Sequence, residues 1–569
     1  MAVKSLLSVL CKTGLLLLTA VSIICSGAEI TVSHTTPVFE KPNVFSAHRY
    51  SLEPGIYQVK NAPKRHFSVK HPIAYYYDFA ELEQGGFISP QLTVNERNEP
   101  VTQGQDFQWQ LPVTAVLISI LAVSVFLFFK WKKEKKILPD SFSENFFLIL
   151  FVVLVRQILL LSEVAFWGNA LPSAADEPGY FKTISDMLQG NFAGPWNFTI
   201  GLGIIYLPFI LLTGAREYYD IAILFSCFDG LILAPAALGA AFVVLKGFKI
   251  RNYCAFAAVL LWALYPFFIY HSEFWDKLAF APFLSLPTSW DMFPDWWRFY
   301  AVCINAGFNA MSDTPGLLAV LCTIAAAQRL SAIPRNLFFI GAAFGFCCLV
   351  RINYIFFAPL LAFICYEKME NKTPGAFFNI SSAAAGGFLL VFMWQLLINT
   401  YQFGNPLTFG YSLHYLDFPP DKRPDTGFNW STLLELRHIK FLIGSNKLLM
   451  TAGIAGLLFT RNSYTRIALS LAAIPLILFF LGYTHTYCDA RRFIMMAFPI
   501  FLAAFCLGIS NCFTLSGEGR KKYLPLLMIP LLLVLWFLPP EIYAICLCLL
   551  LLRTLFDLQQ QLFRGILRK

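Results

Sequence analysis

Long apolar runs recur along this chain, separated by short turns rich in Lys and Arg, and that alternation limits the possible fold more than any other feature. A helix needs ~20 apolar residues to cross hydrocarbon, and it satisfies its own backbone polar groups on the way. Composition points the same way. Only 14% of the 569 residues are charged, 57% are hydrophobic and Phe alone occurs 58 times, against roughly 25% charged in an ordinary soluble domain. Single cores stop growing near ~300 residues, so this much apolar surface has to face lipid. A net charge of +9 would suit a nucleic-acid partner in a soluble protein. Here the basic residues sit in short loops on one side of the apolar runs, so the charge reports topology and no nucleic acid is expected. The 14 Cys form no CxxC pair, and most lie inside apolar runs, where Cys behaves as a small hydrophobe.

At the N-terminus, Lys4 and Lys12 precede the run GLLLLTAVSIIC, and Ser26-Gly27-Ala28 supplies small residues before Glu29. This pattern predicts a cleavable signal peptide over residues 1–28. Residues 29–110 change character: turn signals at Glu53-Pro54-Gly55 and Gly85-Gly86 separate short runs such as IYQV and IAYYY, which predicts a small β-rich extracytoplasmic domain. Tyr75, Tyr76 and Tyr77 read as one strand, with carbohydrate binding the weaker idea. Residues 111–569 then read as the membrane domain. Its first run, Leu111 to Phe129, is followed at once by KWKKEKK, a stop-transfer signal.

Basic residues order the remaining runs. Spans near 144–166, 219–245, 253–270, 313–328, 336–350, 353–366, 376–398, 447–460, 464–482, 492–510, 523–538 and 542–556 leave Lys246, Lys249, Arg251, Arg329, Arg335, Lys368, Lys372, Arg461, Arg466 and Arg520 on one side. The expectation is an all-α polytopic protein of about 13 transmembrane helices. Three long segments, 167–218, 271–312 and 399–446, fall on the opposite, extracytoplasmic side and hold most of the polar residues. No GxxxxGK[ST] phosphate loop occurs, which argues against a nucleotide-dependent reaction on the basic side.

In the first of those segments, ADEPGYFKTISDMLQGN places Asp176 and Glu177 directly before Pro178, a residue favoured at the first helical position. Two carboxylates therefore stand at a helix start. Tyr180, Phe181, Ile184, Met187 and Leu188 fall on one face, and Lys182, Thr183, Ser185, Asp186 and Gln189 on the other, as for a helix lying at a membrane surface. Capping alone would account for such acids. Three further stretches come in order: GAAFGFCCLVRINYIFFAPLL, with Arg351 at its turn; INTYQFGNPLTFGYS, from Ile398 to Ser412; and YTHTYCDARRFIMMAFP, with Arg491 and Arg492. Together with the acid pair they resemble the GT-C superfamily of polytopic glycosyltransferases, which includes protein O-mannosyltransferases and lipid A aminoarabinose transferases. The likeness covers roughly residues 140–510.

That resemblance implies transfer of a sugar from a polyprenyl-phosphate donor in the bilayer to an extracytoplasmic acceptor hydroxyl on a glycan, lipid or protein. It makes Asp176 the general base, and Glu177 either orients that base or helps bind a divalent metal. The leaving group is a lipid phosphate, so Arg351, Arg491 and Arg492 are the candidate cations for it. For Arg351 a snorkelling side chain is the competing account. Paired arginines on the outer side run against the positive-inside bias, which makes Arg491 and Arg492 harder to dismiss. His485 and Asp489 lie beside them. SWDMFPDWWRFY packs Trp290, Trp296 and Trp297 among Asp291, Asp295 and Arg298, either as a sugar platform or as part of an interfacial aromatic belt. Asp313, before Pro315, reads as a helix cap. The short loops and signal sequence suggest a bacterial inner membrane. Alternatives are a lipid-linked glycan flippase, or a polysaccharide polymerase or ligase without a carboxylate base. Finally, Arg156 and Asp229 lie at equal depth in antiparallel spans, which predicts a buried ion pair between them.

Overall fold

The computed structural model describes most of residues 28–101, a helical segment within 149–157, nearly all of 177–270, Gly307, 312–410, most of 453–482, 497–516 and 540–567. These residues fall into two compact units, a β-stranded one within Met1–Asp106 and a helical one within Phe107–Glu163 and Leu171–Lys569.

The β unit contains β1 (Ala28–Val32), β2 (Thr36–Phe39), β3 (His48–Leu52), β4 (Gly55–Val59), β5 (Lys64–Lys70), β6 (Ile73–Glu81), β7 (Phe87–Ile88), β8 (Thr93–Val94) and β9 (Pro100–Val101). A five-stranded sheet runs β3-β2-β7-β6-β5, beside the two-stranded pairs β1-β4 and β8-β9. Alternate residues Ile30 and Val32, with Val38, Leu52, Val59, Ala80, Leu82 and Ile88, fill its core, as strand periodicity requires. Gly85 and Gly86 both adopt positive φ in the turn from β6 to β7, where residues with a Cβ are disfavoured. Tyr75, Tyr76 and Tyr77 lie in β6, paired across to Ser68, Phe67 and His66.

The helical unit is built from α1 (Glu177–Leu188), α2 (Gly201–Thr213), α3 (Tyr218–Phe228), a π-helical turn (Asp229–Leu233), α4 (Ala234–Gly247), α5 (Asn252–Tyr270), α6 (Asp313–Arg329), α7 (Pro334–Val350), a 3-10 turn (Ile352–Phe357), α8 (Ala358–Lys368), α9 (Pro374–Phe403), α10 (Ser463–Gly482), α11 (Ala497–Ser516) and α12 (Pro540–Leu567). The described chain is mostly helical. Two stretches, Leu224–Gly247 and Pro374–Phe403, are long and apolar enough to cross a membrane. On α9, Phe378, Trp394 and Tyr401 are 73, 62 and 69% exposed. A face of large apolar side chains left open in this way suits lipid rather than water.

Two expectations need correction. Segment 167–218 is not only a loop after α1: it holds α2, a 13-residue apolar helix with Pro208 inside it, about 20 Å long at 1.5 Å per residue and so too short to span. The expected span at 353–366 is a 3-10 turn followed by the 11-residue α8, because Arg351 is extended (φ −155°, ψ 110°) and breaks the helix.

Basic turns gather at one end of the helical unit and act on helix ends there. Lys246 Nζ donates to Ile250 O at 2.7 Å, Gln328 Nε2 to Val244 O at 3.0 Å and Thr465 Oγ1 to Phe248 O at 2.8 Å. Lys368 donates to the carbonyls of Ala327 and Leu330 at the C-terminus of α6, where a cation complements the helix dipole. Arg466 joins α10 to α12 by bonding Asp557 at 2.6 Å, and it also donates to Thr460 O at 2.6 Å.

Helices α7 and α9 meet backbone to backbone. A Cβ on Gly341 would collide with the Ala384 carbonyl, and one on Gly387 with the Phe338 carbonyl. Gly341 and Gly345 form the small-xxx-small spacing that lets apolar helices approach this closely. Gly341→Leu should therefore exceed the ~1–3 kcal/mol usual for overpacking and abolish monodisperse folded protein in size-exclusion chromatography. A variant eluting and melting like the parent would contradict this account of the contact.

Candidate functional site

The site grows from the start of α1. Pro178 follows Glu177, an acidic residue in the first turn, where the dipole favours a negative charge. Glu177 is fully buried. Further along, Tyr180, Phe181, Thr183 and Ile184 are buried while Leu188 is 51% exposed. The expected split of faces is thus wrong at Thr183, whose hydroxyl is absorbed by Gly179 O at 2.9 Å, and at Leu188. Asp186 lies on the outer face, accepting from Lys182 Nζ at 3.0 Å and from Trp196 Nε1 at 3.1 Å.

Tyr180 carries the site across to α6. Its hydroxyl lies 3.1 Å from Ser312 Oγ, and Ser312 immediately precedes α6. Asp313 is the first residue of that helix, one position past its N-cap Ser312. The Arg351 guanidinium takes the Asp313 carboxylate in an ion pair whose members are 9% and 1% exposed for Arg and Asp. Tyr354 then donates to the Asp313 carbonyl at 3.4 Å. Arg351 therefore does not snorkel. The break in the helix between α7 and the 3-10 turn drives its side chain inward, and Asn353 beside it is buried with its Oδ1 unpartnered. Tyr180, Ser312, Asp313, Arg351 and Tyr354 thus meet from three chain segments at the end of the unit opposite the basic turns, with Glu177 one turn before Tyr180 and Asn353 two residues after Arg351.

Arg156 and Asp229 lie deeper. They do not form the expected ion pair. Arg156 Nε donates to Gln157 Oε1 at 2.9 Å and its Nη1 to the Ala263 carbonyl, while Gln157 donates to the Gly230 carbonyl. Both carboxylate oxygens of Asp229 are buried without a hydrogen-bond partner. The physical reason is that the Arg156 guanidinium is drawn to acceptors on Gln157 and on α5, which depth along a span does not reveal.

Beside this cluster runs an apolar groove of about 1000 Å³, bounded by Met187 of α1, Ile204 of α2, Leu349 of α7, and Val391, Trp394 and Tyr401 of α9. It shares α1 and the end of α7 with the polar cluster. The loop from α1 to α2 is tied to α9 through two amides. Gln402 Oε1 accepts from Trp196 N at 3.1 Å, Gln395 Oε1 from Ile200 N at 3.0 Å, and Gln402 Nε2 donates to Phe192 O at 3.2 Å.

Asp176, Trp290, Trp296, Trp297, His485, Asp489, Arg491 and Arg492 lie outside the described residues. Among the described residues, no group of three or more His, Cys, Asp or Glu gathers to hold a metal ion. Asp313 and Asn353 were missed as site residues in the sequence. The available signal was topological: Asp313 and Arg351 both stand at boundaries of apolar runs on the non-basic side, where opposite charges find each other. Comparison with protein-family models, characterised proteins and solved structures gives no match to this chain.

Proposed function

We propose that this chain is a membrane glycosyltransferase that moves a sugar from a polyprenyl-phosphate donor to an acceptor hydroxyl, on the side of the bilayer away from its basic turns. The observation that carries the reading is that a buried acid–arginine–tyrosine cluster and an apolar groove are built on the same elements, α1 and the end of α7. A substrate with a polar sugar phosphate and an isoprenoid tail needs that pairing of surfaces. In the reaction the acceptor oxygen attacks the anomeric carbon and gives its proton to Asp176, while the bond to phosphate breaks and the phosphate leaves with the electron pair. A positioned base of this kind contributes ~10²–10⁴ in rate, and arginines waiting for the phosphate stabilise its charge. The GT-C likeness, about 13 spans, an exported β domain and a bacterial inner membrane belong to the same proposal.

A lipid-linked glycan transporter is the second reading, favoured by Arg156 and by the unpartnered Asp229 deep in the helical unit, since such charges often mark a transport path. The two separate cleanly. Purified full-length protein is reconstituted with a panel of polyprenyl-phosphate sugars and an envelope extract as acceptor. Mass spectrometry should find free polyprenyl phosphate and an acceptor heavier by one sugar. Intact donor that has only changed leaflet would overturn the enzyme and establish the transporter.

A further inference from the structure

A second cavity, of about 310 Å³, runs along α8 from the 3-10 turn to Met369, and none of the cluster residues lines it. Its cause is geometric. Helix α9 is held against α7 by the glycine contacts at Gly341 and Gly387, whereas α8, redirected by the 3-10 turn, packs on α6 and α10 instead. A wedge is left between α8 and α9. Its walls are Leu361, Ala362 and Cys365 on one side and Ile380, Ala384 and Phe388 on the other, with Ser381 among the few polar groups. Ala362, Ser381 and Ala385 line the open part of it. The lining is almost wholly apolar, and α9 is one of the stretches apolar and long enough to cross a membrane.

The mouth of the wedge is charged. Tyr366 lines it, Lys372 Nζ sits 4.5 Å over that ring, and Glu367 holds Lys372 at 3.5 Å. Lys368 ties the mouth to the neighbouring α6–α7 turn through the Ala327 and Leu330 carbonyls. On that turn Arg329 and Arg335 are exposed. Arg329, Arg335, Lys368 and Lys372 thus outnumber Glu367 and Glu370 around the opening of an apolar slot. We infer that the wedge is a binding site for an anionic phospholipid, with an acyl chain between α8 and α9 and the headgroup at Lys372 and the α6–α7 turn. Basic residues at the membrane surface attract anionic headgroups, so charge selects the lipid and the slot fixes its place. The site is independent of sugar transfer.

Native mass spectrometry of the detergent-purified full chain tests this, titrating phosphatidylglycerol against phosphatidylethanolamine with the same acyl chains. One phosphatidylglycerol should bind at least tenfold more tightly than phosphatidylethanolamine. Ala362→Trp or Ser381→Trp, which grow into the open wedge from opposite walls, should lower phosphatidylglycerol affinity at least tenfold. Lys372→Gln should shrink the preference between the two lipids without abolishing binding. Equal affinity for the two lipids in the parent protein overturns the proposal even if no variant folds. So does undiminished phosphatidylglycerol binding by a folded tryptophan variant, or a lipid-free dimer, which would show a second copy covering the wedge. A chain released from membranes by salt alone would instead defeat the membrane reading itself.

Discussion

Asp176→Asn is expected to reduce sugar transfer by at least ~10²-fold, and up to ~10⁴-fold, with membrane insertion and melting temperature unchanged. The substitution removes the proton acceptor but keeps the side chain's size and a side-chain oxygen, and asparagine caps helices as well as aspartate does. Loss of rate without loss of fold therefore isolates the chemistry. A fall in kcat and kcat/KM together, with donor affinity preserved, is the signature of an interaction made in the transition state. Wild-type turnover in the purified variant would end the base-catalysed mechanism and favour a carboxylate-independent polymerase or ligase.

The second large effect is on stability. Asp313→Ala leaves the buried Arg351 guanidinium without its carboxylate, and removing one member of a buried pair costs about 3–5 kcal/mol. The double change Asp313→Leu, Arg351→Met removes both charges, and replacing a buried pair with apolar groups of similar volume is often neutral or stabilising. Thermal unfolding in detergent should place the double variant near the parent protein and well above the single one, a non-additivity diagnostic of direct coupling. Both variants should lose transfer if the pair serves the site. A double variant as unstable as the single one would mean that Asp313 stabilises α6 by itself.

What could be read from the sequence was local. The turn at Gly85-Gly86 was legible because positive φ restricts the residues that can occupy it. The start of α1 came from an acidic pair before proline, and α6, α7, α9, α10 and α12 came from apolar runs bounded by basic turns. Helix α2 escaped notice because its apolar run is only 13 residues long, short of the ~20 a span needs. The Arg156–Asp229 expectation failed for another reason. Depth along a helix can be counted in residues, but the Arg156 donors go to Gln157 and to a carbonyl of α5, a choice made by tertiary packing. The pairing of Asp313 with Arg351 is tertiary, across 38 positions, so the sequence offered the two groups but not their meeting.

The amide ties between α9 and the α1–α2 loop have an evolutionary consequence. Within the loop, Gln395 and Gln402 bond main-chain atoms of Phe192, Trp196 and Ile200, so their hold on its course does not depend on the side chain at Phe192. Asn191 and Phe192, which border the large groove, are therefore free to be exchanged by mutation while the path of the chain stays fixed. Two glutamines on a rigid helix thus give a lineage a short stretch in which the shape of the groove wall can drift toward a new ligand without the fold being put at risk.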